Sequence, residues 1–132
     1  MKKKKLVFQS DCSIAKTGFG RNSKAVLSYL FKTGKYDIVQ YACGMARSDM
    51  QLKRTPWKTI GSLPDNQAEL EQLKKDPHLS RMASYGANYL DAVIEEEKPD
   101  VYIAVQDIWG IDFALEKPWF DKINSVFWTT LD

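Results

Sequence analysis

The stretch Val101-Tyr102-Ile103-Ala104-Val105 constrains the fold more than any other part of this sequence. Side chains of a strand alternate between its two faces, and here both sets are apolar. Such a strand must be covered above and below, which is the condition of a parallel sheet flanked by helices. Other segments repeat the requirement. Leu6-Val7-Phe8-Gln9-Ser10 reads as a first strand ending at Asp11, and Tyr36 to Cys43 as a second, closed by Gly44. Between them, the spacing of Val26, Leu27, Leu30 and Phe31 predicts a helix from about Arg21 to Thr33, with Gly34 placed to stop it.

The rest of the chain alternates in the same way. Met45 to Pro56 has no clear period and reads as loop, and Trp57 to Gly61 as a short third strand of unassigned partner. Asn66 to Lys75 is polar and helix-prone until Asp76-Pro77 interrupts it. One longer helix is then expected from about Leu79 to Glu97, with Met82, Tyr85, Tyr89, Leu90, Val93 and Ile94 on one face. Glu95-Glu96-Glu97 would oppose the helix dipole at its C-terminus and is expected to stand out in water. Ile111 to Leu115 suggests a short helix, and Asn124 to Thr130 a fifth strand. The order predicts an α/β fold: a doubly wound, mainly parallel, Rossmann-like sheet in a single domain spanning residues 1–132. No covering helix follows the fifth strand, so the chain is expected to be the truncated N-terminal part of a longer protein.

Composition narrows the function. With 132 residues, 44% of them hydrophobic, the chain suits one domain that buries roughly 68% of its unfolded surface. Lys and Arg number 19 against 17 Asp and Glu, a balance that does not predict nucleic-acid binding. No apolar run is long enough for a transmembrane helix, and Met1-Lys2-Lys3-Lys4-Lys5-Leu6 lacks the apolar stretch of a secretory signal, which makes the cytoplasm the simplest compartment. Cys12 and Cys43 are too few for a disulfide framework or a structural zinc site; both read as packing residues. His78, the only histidine, reads as a surface residue.

Ligands of open α/β sheets sit beyond the carboxyl ends of the strands, where strand order reverses. That rule selects the segments Asp11–Gly20, Gly44–Arg47, Gln106–Gly110 and Thr129–Asp132. In the first, Gly18, Phe19 and Gly20 precede a helix N-terminus, a place that favours anions, and Arg21 adds a charged fork: a candidate phosphate cradle. The alternative is a tight strand-to-helix turn that needs glycine for its own sake. Gly18-x-Gly20-x-x-Ser23 departs from the dinucleotide fingerprint at its third glycine, and no acid ends the second strand, which disfavours NAD. No P-loop motif is present. After the apolar strand, Gln106, Asp107 and Trp109 supply an amide, a carboxylate and an indole suited to holding a sugar. Alternatively, Asp107 caps the next helix and Trp109 packs in the core. Asp11, Thr130 and Asp132 complete the candidate polar lining.

The run Lys5-Leu6-Val7-Phe8…Thr17-Gly18-Phe19-Gly20-Arg21 resembles the start of a GT-B glycosyltransferase of the group-1 type. Lys32-Thr33-Gly34-Lys35-Tyr36-Asp37-Ile38-Val39, Lys98-Pro99-Asp100-Val101-Tyr102-Ile103 and Val126-Phe127-Trp128-Thr129-Thr130 are similar to later phrases of that family. The resemblance implies an acceptor-side Rossmann-like domain that takes part in hexosyl transfer from a nucleotide-sugar donor to an acceptor. A C-terminal Rossmann-like domain, missing here, would carry most of the donor site, so this piece alone is expected to be inactive. By the same resemblance Gly18, Phe19, Gly20 and Arg21 would lie near the donor phosphates, no metal or cofactor is needed, and no catalytic residue is assigned. Many relatives place a histidine where this chain has Thr130 or a neighbour. The alternative is a non-enzymatic flavodoxin-like or nucleotide- or sugar-binding module. A phosphate-responsive receiver would need clustered acids after the first strand, where only Asp11 stands, and a lysine after the fifth, where none follows Thr130.

Overall fold

A computed structural model describes residues 3–129. Five strands, β1 (Lys4–Asp11), β2 (Tyr36–Ala46), β3 (Lys58–Leu63), β4 (Val101–Val105) and β5 (Asn124–Trp128), form one sheet in the order β3-β2-β1-β4-β5. Every pairing is parallel. The helices are α1 (Gly18–Thr33), α2 (Gln67–Lys74), α3 (Pro77–Ser84), α4 (Leu90–Glu97) and α5 (Ile108–Ile111). This α/β architecture is compatible with a Rossmann-like fold. Strand order reverses between β1 and β4, whose neighbours run to opposite edges of the sheet.

Alternation along the strands divides the core into two layers. Leu6, Phe8, Ile38 and Val105 face α1, where they pack with Leu27 and Trp57. Val7, Val39, Tyr41, Tyr102 and Ala104 face the other way and pack with Leu90, Val93 and Ile94 of α4 and with Ile111 and Ala114. Each fully buried aliphatic side chain in these layers contributes about 1.5–3 kcal/mol. On β5 only Phe127 turns toward the second layer, and Val126 and Trp128 stay largely exposed.

Several boundaries differ from the sequence expectations for physical reasons. β1 begins at Lys4 because the ladder to β2 starts there, with Lys4 opposite Tyr36. α1 begins at Gly18 instead of Arg21, since Thr17 caps it by accepting from the Gly20 amide at 2.9 Å. The expected loop from Met45 to Pro56 contains the last residues of β2 and a 3-10 turn, Met50–Arg54. The third strand pairs with β2. The expected helix from Leu79 to Glu97 is two helices, α3 and α4, parted at Gly86, whose φ of 99° no right-handed helix accepts. The short helix expected at Ile111 to Leu115 instead starts at Ile108 and passes into a 3-10 turn, Asp112–Glu116. β5 ends at Trp128, and Thr130 lies outside the described residues.

Glu97 corrects the expectation of a solvated acidic end. It is only 7% exposed. α4 ends at the amino edge of the sheet, where the first residues of β1 and β3 bring two ammonium groups. Lys5 Nζ lies 2.7 Å from Glu97 Oε2, and Lys58 Nζ 2.5 Å from Oε1. Glu95 and Glu96 are exposed as expected. The Lys98-Pro99-Asp100 phrase also has a structural task. The Lys5 amide donates to Asp100 Oδ2 at 2.8 Å, and the Asp100 amide to Lys5 O at 2.9 Å, fixing the start of β4 beside β1.

Candidate functional site

Ser10 of β1 pairs with Val105 of β4, so the next residues, Asp11 and Gln106, emerge side by side at the carboxyl edge. Gln106 Nε2 donates to Asp11 Oδ1 at 2.6 Å, and Thr17 Oγ1 donates to Asp11 Oδ2 at 2.6 Å. Both carboxylate oxygens are thus oriented, one from β4 and one from the cap of α1. Around this pair lies a cavity of about 310 Å³ lined by Asp11, Phe19, Cys43, Gly44, Ser84, Tyr85, Gln106 and Asp107. It occupies the position that open parallel sheets offer to ligands, beside the reversal of strand order. A larger hollow of about 480 Å³ lies against α2 and α3, lined by Pro64, Ala68, Leu73 and Leu79 together with Glu69, Gln72 and Asn88, none of which belongs to β1 or β4.

The aromatic side of the cavity is built from below. Gln9 Nε2 donates to Tyr85 O at 2.5 Å, and Tyr41 OH donates to Gly86 O at 2.7 Å. Tyr102 OH in turn donates to Gln9 Oε1 at 2.5 Å. These buried side chains fix the turn between α3 and α4 and with it the Tyr85 ring. Trp109 meets that ring in a T-shaped contact, centroids 5.0 Å apart. Trp109 is 53% exposed, so it packs on Tyr85 from the surface and is not a core residue, nor is it among the residues that line the cavity. The Arg81 guanidinium lies 5.8 Å from the centre of the Trp109 ring. A side chain at Gly110 would strike the Tyr85 ring at 2.7 Å, so the close approach of α5 to Tyr85 depends on glycine there.

Burial raises the ionisable groups of the cavity, and the nearby carboxylates add to it. Burial pushes the Cys43 thiol up to about 12, and the charge of Asp11 adds to the effect. Cys43 is therefore a neutral thiol at neutral pH and an unsuitable nucleophile. The Tyr85 phenol is raised by burial first, then by Asp107 and Asp11, with Arg81 opposing.

Of the residues singled out from sequence, Asp11, Phe19, Gln106 and Asp107 meet at this cavity. Asp107 occupies the N-cap position of α5, and its carbonyl accepts from the Gly110 amide at 2.9 Å. Gly18, Gly20 and Arg21 are in the first turn of α1 and do not line the cavity. A Cβ on Gly20 would lie 2.6 Å from Ala15 O and 3.0 Å from Cys12 O, so packing against the preceding loop accounts for this glycine. Gly18 faces open space, and Arg21 is exposed. Thr130 and Asp132 lie outside the described residues.

Sequence reasoning missed Tyr85, Cys43 and Thr17 as site residues. Tyr85 fits the apolar period of a continuous helix, and only Gly86 within that period signals a break there. Cys12 and Cys43 are free thiols, and Cys12 is buried as a packing residue. His78 is exposed. Among the described residues no cluster of potential metal ligands occurs, and no helix is long and apolar enough to cross a membrane. Comparison with protein families and with curated proteins finds no match.

Proposed function

We propose that this chain is the acceptor-side domain of a GT-B glycosyltransferase of the group-1 type, a doubly wound Rossmann-like unit working with a second such domain that holds most of the nucleotide-sugar donor. The observation that carries this reading is the cavity at the reversal of strand order. There an oriented carboxylate, an amide and aromatic surface share a space suited to one sugar ring. The carboxylates of Asp11 and Asp107 are placed to accept from sugar hydroxyls, and the rings of Phe19 and Tyr85 cover an apolar ring face. In transfer, the acceptor hydroxyl loses its proton to a base and its oxygen forms the new bond to the sugar's anomeric carbon. The bond from that carbon to the donor diphosphate breaks, and the diphosphate leaves with the electron pair. The open first turn of α1 at Gly18, with Arg21 beside it, is the place in this chain for that developing negative charge.

The test is amide NMR of the chain during titration with simple methyl glycosides and a panel of nucleotide-sugars. Shifts are expected at Asp11, Gln106 and Asp107 with glycosides, and at Gly18 to Arg21 with nucleotide-sugars. Absence of any response to glycosides at the cavity overturns the reading. A second reading, a sugar-binding module without transfer, draws on one observation: Gly20 is occupied with internal packing, and its amide is bonded to Thr17. Cavity shifts with glycosides but none at Gly18 to Arg21 with any nucleotide-sugar would favour it.

A further inference from the structure

We propose that the solvent face of α1, with the start of β1 beside it, docks on an anionic lipid surface. Charge is divided unevenly along this chain. Residues 1–35 hold nine lysines and arginines against one acid, Asp11, and the residues after them hold ten against sixteen. The fold turns that asymmetry into a surface. Arg21, Lys24, Lys32 and Lys35 are exposed along α1 and just past its end, and α1 contains no acid. Among the described residues none of these four makes an ion pair. The Lys4 amide donates to Lys35 O at 3.3 Å, which brings the exposed Lys3 and Lys4 to the same end. The acid nearest to Lys35 in sequence, Asp37, lies 3.9 Å from Lys5. On the opposite layer α4 carries the exposed acids Asp91, Glu95 and Glu96.

Aromatic side chains stand among these cations. Tyr29 is 70% exposed and Phe31 45%. Phe31 meets Trp57 edge-on, centroids 5.9 Å apart, and both rings border a hollow of about 400 Å³ shared with Lys3, Tyr36, Asp37 and Lys58. Lysines around exposed rings are the composition of surfaces that rest in a membrane interface, where rings settle at headgroup depth and ammonium groups meet lipid phosphates. Each lysine or arginine held near such a surface is worth roughly fivefold in partitioning. Nucleic acid is the less suited polyanion, because single strands are tracked by a charged groove and here a helix surface carries the charge.

The experiment is co-sedimentation of the chain with phosphatidylcholine vesicles, with and without phosphatidylglycerol as a quarter of the lipid. Partitioning into the anionic vesicles is expected to exceed that into the neutral ones at least tenfold. It should collapse when salt rises from about 0.1 M to about 1 M, as the screening length falls from about 10 Å to about 3 Å. Lys24→Gln combined with Lys32→Gln lowers it at least tenfold, and Tyr29→Ser severalfold. All three side chains are exposed, and circular dichroism verifies that each variant folds. Equal partitioning into both kinds of vesicle, or none into either, overturns the proposal without any variant. An unchanged double variant moves the contact off α1 and overturns it as well, and an unchanged Tyr29→Ser overturns the part given to the rings. Tighter binding of a single-stranded oligonucleotide than of the anionic vesicles assigns the face to nucleic acid instead. These outcomes leave the reading of the cavity untouched, since none of the varied residues lines it.

Discussion

Gln106 and Asp11 join the ends of β4 and β1 by a 2.6 Å hydrogen bond at the point where the sheet reverses its strand order. The amide is 3% exposed, so its donor has few alternatives, and the acceptor is a carboxylate whose other oxygen holds Thr17. Replacing Gln106 with alanine is expected to cost about 1–3 kcal/mol of stability, the range for bonds to charged groups. It also frees the Asp11 carboxylate to rotate, and glycoside affinity is expected to fall about tenfold. Urea denaturation gives the first quantity and NMR titration the second. A folded Gln106→Ala chain that retains both values would show that the bond orients nothing.

Two glycines with a single residue between them, Gly18 and Gly20, are expected to respond in opposite ways. At Gly20 an added Cβ meets backbone carbonyls, which cannot move aside as a flexible side chain can. Gly20→Ala should therefore destabilise by about 1–3 kcal/mol, as overpacking does. At Gly18 the same Cβ meets nothing, and alanine should be neutral or stabilising by up to about 1 kcal/mol. Thermal or urea unfolding of the two variants checks the contrast. If the proposed donor contact is made at Gly18, the larger Gly18→Val change weakens nucleotide-sugar binding without unfolding the chain.

Much of the fold was legible because apolar patterning is a local signal. Val101 to Val105 matched its strand residue for residue, and Gly34 stops α1 in the left-handed conformation. What escaped was decided by partners distant in sequence. Glu97 looks like the end of a solvated acidic run until the sheet brings Lys5 and Lys58 to it from far along the chain. Trp109 was open between a ligand contact and core packing, and the structure puts it half-exposed against the Tyr85 ring, outside the core. That Asp11, Gln106 and Asp107 share one cavity could be expected from sequence, because they follow parallel strands that end at the same sheet edge. Tyr85 was not, because a turn inside an apolar helical period hides behind the period itself.

The Glu97 cluster predicts the pH dependence of stability. Burial alone raises the Glu97 carboxyl, but hydrogen bonds from Lys5 and Lys58 outweigh it and hold the group below the ordinary carboxylate value. A carboxyl depressed by folding stabilises above its unfolded value, and that contribution is lost as pH falls through the folded one. Lys5 is shifted upward, mainly by its bond to Glu97, so its contribution persists below the ordinary lysine value and is lost as pH rises through the raised one. Stability should thus decline on both the acid and the strongly alkaline side. Glu97→Gln is expected to cost about 2 kcal/mol at neutral pH, less than breaking a fully buried pair because the Lys58 side chain is 60% exposed and screened. It should also flatten the acid limb. Urea unfolding of both proteins from neutral pH to pH 3 reads the effect; acid limbs of equal slope would exclude Glu97 as their source.

Gly86 is expected to be the most sensitive glycine of the site. Its φ of 99° is a backbone state that side chains rarely adopt, and an added Cβ would lie 2.6 Å from Gln9 Nε2 and 2.7 Å from the Tyr41 ring. Those are the two side chains that hold the turn through Tyr85 O and Gly86 O. Gly86→Ala therefore combines backbone strain of about 1–3 kcal/mol with damage to both clamps, each bond worth about 1 kcal/mol. A loss of about 3 kcal/mol or more is expected, together with altered Trp109 fluorescence as Tyr85 shifts. Gly110→Ala should cost less, because it presses on the Tyr85 ring without straining the backbone. Tyr41→Phe removes one clamp alone and should fall between wild type and Gly86→Ala in stability, with a partial fluorescence change. Equal stability of wild type and Gly86→Ala would mean that the turn does not position Tyr85.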